Sequence, residues 1–318
     1  MLRSFSFLFA LFLVACTQEN VKQLQSWEMD YPEDNSANME KAKMGRDLFF
    51  DTRLSSDNSI SCASCHKPNL AFADTVAKSA GVKGKHAGRN SPSIINAGFA
   101  PHFMGEGQVP SLEMQVLLPL LDENEMGAEI NAVIEELKPF YNETSKKVFG
   151  KPFDAYVLTR ALASYERTLV AYSSPFDLYI QGIDTLAIND AAKKGWELFN
   201  EKMNCVACHP YPKFTDYTLK NNANKEKYFD PGRYKVTGRY KDKGRFKVPS
   251  LRNVALTHPY MHDGSYASLH DVIDNYSAGG KDHPNKDSLI RAYHLEDSDK
   301  LNLIAFLESL TDTNIFTP

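Results

Sequence analysis

A chain of 318 residues, 42% hydrophobic and 24% charged, has the composition of a globular protein and the length for two domains, each with its own core. Its formal net charge of −4 and the lack of a long like-charge block argue against nucleic acid as a partner. A mildly acidic chain would attract a basic protein partner, although net charge alone does not establish one.

The first 16 residues differ from the rest. Arg3 precedes an apolar run from Phe5 to Val14, the charged start and short hydrophobic stretch of an export signal, too short to span a bilayer as a helix. The run closes on Leu13-Val14-Ala15-Cys16 and a polar stretch, Thr17-Gln18-Glu19-Asn20, follows at once. This resembles the lipobox of bacterial lipoproteins. The resemblance implies acylation of Cys16, a periplasmic location, and contact with a membrane only through that N-terminal lipid anchor. The alternative is an ordinary signal cut nearby, with Cys16 incidental. Residues 17–38 read as a tether.

Lys41 to Phe50 predicts a helix, leading into a turn-rich loop over 51–58. Between Pro68 and Pro110 the chain is rich in Gly, Pro, Ser and Asn and reads as long loops. Leu158, Leu162, Tyr165 and Leu169, spaced four, three and four, predict a helix with one apolar face, stopped by Ser173-Ser174-Pro175. The domain boundary is expected there, giving a first domain over 39–174 and a second over 175–318. Asn189 or Asp190 caps a further helix, with Trp196, Phe199 and Met203 on its inner face. Residues 213–244 are again polar and loop-like. Ser298 is expected to cap a last helix running to Leu310. Strand patterns are confined to Ile94-Ile95 and Phe246 to Val248.

Apart from Cys16, every cysteine lies in one of two CxxCH runs, Cys62-Ala63-Ser64-Cys65-His66 and Cys205-Val206-Ala207-Cys208-His209, which leaves none for a structural disulfide. Two thiols at that spacing can form thioethers with both haem vinyl groups, and the adjacent His66 or His209 then lies under the iron. Other uses of these thiols are a redox CxxC, which would need a βαβ setting absent here, and a four-Cys zinc site, which would leave the two identically placed His to coincidence. Two covalently bound haem c groups are therefore expected. The motifs begin 143 residues apart, so each domain receives one. The expected fold class is all-α: two c-type cytochrome domains with long loops, one haem each.

Further runs extend the reading: Gly45-Arg46-Asp47-Leu48-Phe49-Phe50-Asp51 with Leu54-Ser55; Arg89-Asn90-Ser91-Pro92; Leu112-Glu113-Met114-Gln115; Glu125-Met126-Gly127; Val248-Pro249-Ser250-Leu251-Arg252-Asn253-Val254; and Tyr260-Met261-His262-Asp263-Gly264. In order and spacing the chain resembles the bacterial di-haem cytochrome c peroxidase and MauG group from about Lys41 to Thr311. The resemblance implies that hydrogen peroxide reacts at the haem on His66, with Gln115 and Glu125, ten residues apart, on its distal side. Glu125 would move a proton between the peroxide oxygens and Gln115 would orient them. It implies a calcium ion held by the Asn90 side chain and the carbonyls of Thr257 and Pro259. It also implies electrons from a small cytochrome c or copper protein, received at the haem on His209, and a closing helix that packs back on the first domain. A homodimer is compatible with such a chain.

The axial ligand opposite His209 is expected to be Tyr276, which follows Leu269 by seven residues and Thr257 by nineteen; Met261 is the competing residue. Two departures from the group stand out. Where many members carry a Trp between the haems, this chain has Phe103-Met104-Gly105-Glu106-Gly107, and neither Trp27 nor Trp196 fits that place. His86, four residues before Asn90, is the nearest candidate for a resting-state iron ligand. Peroxide reduction is the function this pattern implies; the alternatives are MauG-like oxidation of residues in a partner protein and electron carriage without catalysis.

Overall fold

The computed structural model describes residues 27–315, so the export signal, Cys16 and the start of the tether lie outside the described residues. The described chain is mostly helical, with long irregular connections and one two-stranded sheet in which Leu219–Lys220 pairs antiparallel with Phe246–Lys247. Ile94 and Ile95 are not in a strand. Among the described residues no helix is long and apolar enough to cross a membrane.

Buried residues form two large hydrophobic clusters, one drawn from 44–171 and one from 176–310. Each is built on a crossing of two helices. In the first, Met39–Phe49, capped by the Asn38 side chain, crosses Ala155–Glu166, capped by Asp154. Contact is so close that a Cβ on Gly45 would lie 1.9 Å from the Ala161 carbonyl oxygen. In the second, Asp190–Glu197, capped by Asn189, crosses Asp297–Glu308, and a Cβ on Gly195 would lie 1.9 Å from the Asn302 oxygen. Only glycine permits either approach.

This crossing corrects the expectation for the closing helix. Leu303, Phe306 and Leu307 are buried in the second cluster, with the Phe306 ring 5.0 Å from both Phe176 and Phe199. The helix is the counterpart of Ala155–Glu166, and its buried side chains belong to the second cluster. Return to that half is made by the residues after it. The Asp312 carboxylate accepts from the Tyr172 and Ser173 amides, and Ile315 packs on the first cluster. The helix also starts at Asp297, after Glu296, so Ser298 lies inside it.

A second correction concerns the tether. From Trp27 onward it is fastened to the body. Trp27 packs edge-on against Phe99 and at a tilt against Tyr172, Asp34 pairs with Arg160, and the fully buried Asn35 donates to Glu113 at 2.8 Å. A polar composition predicted solvation here, but Asp34 and Asn35 find charged or buried partners.

Candidate active site

The two CxxCH runs share one local device. The His66 amide donates to the Cys62 carbonyl and the His209 amide to the Cys205 carbonyl, both at 2.9 Å. Each imidazole then uses Nδ1 to donate to a carbonyl a few residues on: His66 to Phe72 at 3.1 Å, His209 to Phe214 at 2.9 Å. Both phenylalanines are buried and held at positive φ (55° and 52°), which turns their carbonyls inward. An imidazole donating from Nδ1 presents an unprotonated Nε2, the atom a metal takes. Burial holds both histidines below their ordinary pKa, so they are neutral at pH 7. None of the four thiols of the runs is in a disulfide, and burial pushes them up, Cys205 to about 12.

Gln115 ends the short helix Leu112–Gln115, capped by Ser111. Glu113 of this helix is buried against Arg167 at 2.6 and 3.2 Å, and Asn35 completes its shell, so residues taken from sequence as tether help fix the Gln115 helix. The Gln115 amide is directed at Met104 Sδ, 4.0 Å away, in the run where the group carries Trp.

Glu125 follows a tight turn, and its carbonyl accepts from the Val82 amide at 2.8 Å. Val82 belongs to a hairpin over 79–87, whose Ala80 carbonyl lies 4.0 Å from Cys65 Sγ. The hairpin thus seats Glu125 beside the first run, and its charge is felt at Cys65. Burial, then the charge of Asp122, holds the Glu125 carboxyl above the ordinary range. His86 is on the same hairpin but exposed.

Around the second run the structure brings both axial-ligand candidates to one point. Asn222 Nδ2 lies 3.2 Å from Met261 Sδ and 3.4 Å from Tyr276 Oη. Tyr276 stands on the Leu269–Ser277 helix, packs on the cluster that includes Cys205, and feels both thiols, Cys205 and Cys208. Burial pushes its phenol up to about 12, opposed by the Asn222 N–H. Sequence reasoning missed Asn222, since 213–244 read as a solvated loop. Asn221 and Asn224 beside it are buried, and Asn221 is tied to His283 and to the Lys243 carbonyl.

Between the halves, the Asn90 amide donates to the His262 carbonyl at 3.0 Å and its side chain to the Val76 carbonyl at 3.1 Å, which seats Asn90 against the turn 259–264. Thr257 precedes that turn, its hydroxyl on the Val254 carbonyl. Arg89 pairs with Glu106 of the first half and Asp230 of the second, each at 2.5 Å. Its guanidinium lies over Phe246, which stacks on His262 at 4.1 Å. Trp27 lies against Arg252, and Trp196 is in the second cluster.

Paired thiols and a neutral, oriented imidazole in each run fit a thioether-bound haem with histidine ligation at both places, so fold and site define a c-type cytochrome with two haem centres. Residues 39–185 match the family model described as di-haem cytochrome c peroxidase. The chain is 36% identical over 285 residues to the methylamine utilization protein MauG of Methylorubrum extorquens, covering 88% of this chain and 80% of that one. It is 36% identical over 320 residues to the cytochrome-c peroxidase IdrP1 of Pseudomonas sp. strain SCT, covering 88% and 83%. A crystal structure of a MauG-like protein associated with microbial copper homeostasis superposes with a TM-score of 0.85 at 31% identity, over 92% of this chain and 95% of that one. The chain belongs to the di-haem cytochrome c peroxidase and MauG family.

Proposed function

We propose that this protein reduces hydrogen peroxide to water with electrons from a small redox protein. The observation that carries the reading is Glu125, a half-buried carboxyl with a raised pKa seated beside the first CxxCH run. When bound, the haem on His66 supplies the centre at which the O–O bond is reduced, and the haem on His209 the centre that takes electrons in. Glu125 takes the proton from one peroxide oxygen and returns it to the other, which leaves as water; its raised pKa makes it a stronger base for that transfer than an exposed carboxylate. Gln115, which does not titrate, orients the peroxide. In balance, hydrogen peroxide takes two electrons and two protons and gives two waters.

Each hydrophobic cluster is assigned as the body of one haem domain. Tyr276 is assigned as the ligand opposite His209, with Asn222 donating to its oxygen and Met261 held aside by the same amide. A calcium ion at the seam would take the Asn90 side-chain oxygen and the Thr257 and Pro259 carbonyls, oxygen donors of the kind it prefers. The contact of Asn90 with the His262 carbonyl supports that grouping. With the export signal over 1–16, the chemistry takes place in the periplasm, and Cys16 is the lipid attachment point.

A second reading rests on Tyr276. A phenolate favours ferric and higher states, which suits MauG-like oxidation of residues in a partner protein.

The test is Glu125→Gln in protein carrying both haems. Removing the titrating group while keeping its shape should lower peroxide turnover by about two orders of magnitude or more. Turnover within a few-fold of the parent refutes the assignment.

A further inference from the structure

The chain is acidic as a whole, but its charge is unevenly spread. Residues 225–247 hold nine Lys and Arg against three Asp and Glu, a formal +6, so the other 295 residues carry −10. Within this excursion Lys227, Lys235, Arg239 and Lys241 are exposed. Large apolar side chains stand among them: Phe229 is fully exposed, Tyr240 is 61% and Val236 46% exposed. Isolated exposed apolar residues are ordinary, but a cluster ringed by one sign of charge is the pattern of an interaction surface.

The base of the excursion leads to the second haem site. Its two ends are drawn together where Leu219–Lys220 pairs with Phe246–Lys247. The Lys220 charge is felt at Cys208. On the other strand the chain passes directly to Val248 and Pro249; the Thr215 hydroxyl donates to the Val248 carbonyl at 2.7 Å, and the Pro249 backbone reaches His209. Hydrogen bonds and a few covalent steps therefore join this face to the proximal histidine of the electron-accepting centre. Arg89 ties its middle to the first half through Asp230, so it is not a loose arm.

We propose that this basic, aromatic-tipped face docks the electron donor, and that the donor is a small redox protein with an acidic recognition surface. This rests on the peroxidase reading and names its partner's chemistry. It reverses the expectation from net charge, since a field is set by local distribution and not by the sum. Each reduced donor is oxidised by one electron on leaving; two donors and two protons match the reduction of one hydrogen peroxide to two waters. The lysines steer the encounter and the rings exclude water at its centre.

The test uses the haem-loaded full chain and its Lys235→Glu/Lys241→Glu and Phe229→Ala variants. Stopped-flow reduction of ferric protein, without peroxide, is followed with a strongly acidic and a strongly basic reduced small cytochrome across ionic strength. With the acidic donor, the second-order rate should fall steeply as salt rises. It should drop by about tenfold or more at low salt in the double Lys variant and severalfold in Phe229→Ala. Peroxide turnover with a small-molecule reductant should be unchanged in all three proteins. Salt-independent reduction by the acidic donor, preference for the basic one, or unaltered rates in the Lys variant would overturn the proposal. So would loss of binding to anionic phospholipid vesicles in that variant with donor kinetics intact, which would make the face a membrane-contacting one. Absence of turnover with the small-molecule reductant defeats the peroxidase reading instead, and the stopped-flow rates still decide the docking face.

Discussion

Asp177 and Arg252 are each 1% exposed at the side chain and form the most deeply buried ion pair among the described residues, at 2.6 and 2.8 Å. Asp177→Asn keeps the shape and removes the charge. The guanidinium would then remain buried, already desolvated by several kcal/mol, without an attraction on the order of 4 kcal/mol for unit charges ~4 Å apart at an effective dielectric of ~20. Asp177 also accepts from the Ser174 amide and hydroxyl, caps that the amide can satisfy only in part. A loss of about 3–5 kcal/mol in unfolding free energy is expected. The change should also reach the haem site, because Arg252 donates to the Pro212 carbonyl at 2.6 Å and lies over Phe214, whose carbonyl orients His209. Urea unfolding of the haem-loaded protein measures the first effect and the low-spin electron paramagnetic resonance signal of the second haem the second. Lys43→Met, which breaks a pair more than half exposed on both sides, is the control and should leave the unfolding free energy within experimental scatter of the parent. If Asp177→Asn lies within that same margin, burial does not make this pair costly to break and the reasoning fails.

Tyr276→Phe should change the low-spin spectrum of the second haem and, since one amide touches both candidates, bring in the near-infrared band of His–Met coordination from Met261; a parent that already shows the band and loses it only in Met261→Ala would reverse the assignment. Glu166 is buried where Glu113 has taken the Arg167 guanidinium, and burial pushes its carboxyl up to about 8. A folded pKa above the unfolded one means that the native state holds the proton longer. Stability should therefore be unaffected by this group below about pH 4.5, fall as pH rises from there to about 8, and level off beyond, by at most about 5 kcal/mol. Glu166→Gln should flatten that profile in denaturant titrations, and an unchanged slope would show that another group is responsible.

What was legible in sequence was whatever depends on near neighbours. The CxxCH spacing, the helix before it and the cap at Asn189 all lie within one or two helical turns. The 20-residue helix Ile130–Phe149 has a weak signature in sequence, since it contains Pro139 and only Val133, Ile134, Leu137 and Ser145 are buried. Helices of this kind are held by tertiary packing more than by propensity. The asparagines over 221–224 were illegible for a different reason. Short polar residues belong in loops by default, and their burial is fixed by partners such as His283, 62 residues away. Likewise, nothing local marks Trp27 as a lid over Arg252.

The two haem sites are alike where they hold and different where they act. Both halves use a glycine crossing, a CxxCH run and a phenylalanine carbonyl at positive φ to fix a neutral imidazole. Duplicating that frame yields two ligating histidines and no division of labour. Division comes from the opposite side. Beside the first run is a carboxyl whose pKa is raised by burial and by Asp122, a group that can give and recover a proton. Beside the second, the polar contacts are an amide, a thioether and a phenol pushed up to about 12, none of which exchanges a proton readily at neutral pH. O–O cleavage needs proton movement and electron entry does not. The asymmetry of proton chemistry therefore supports the proposed placement of peroxide on the His66 side and of electron entry on the His209 side, and the proposed docking face lies on the latter side.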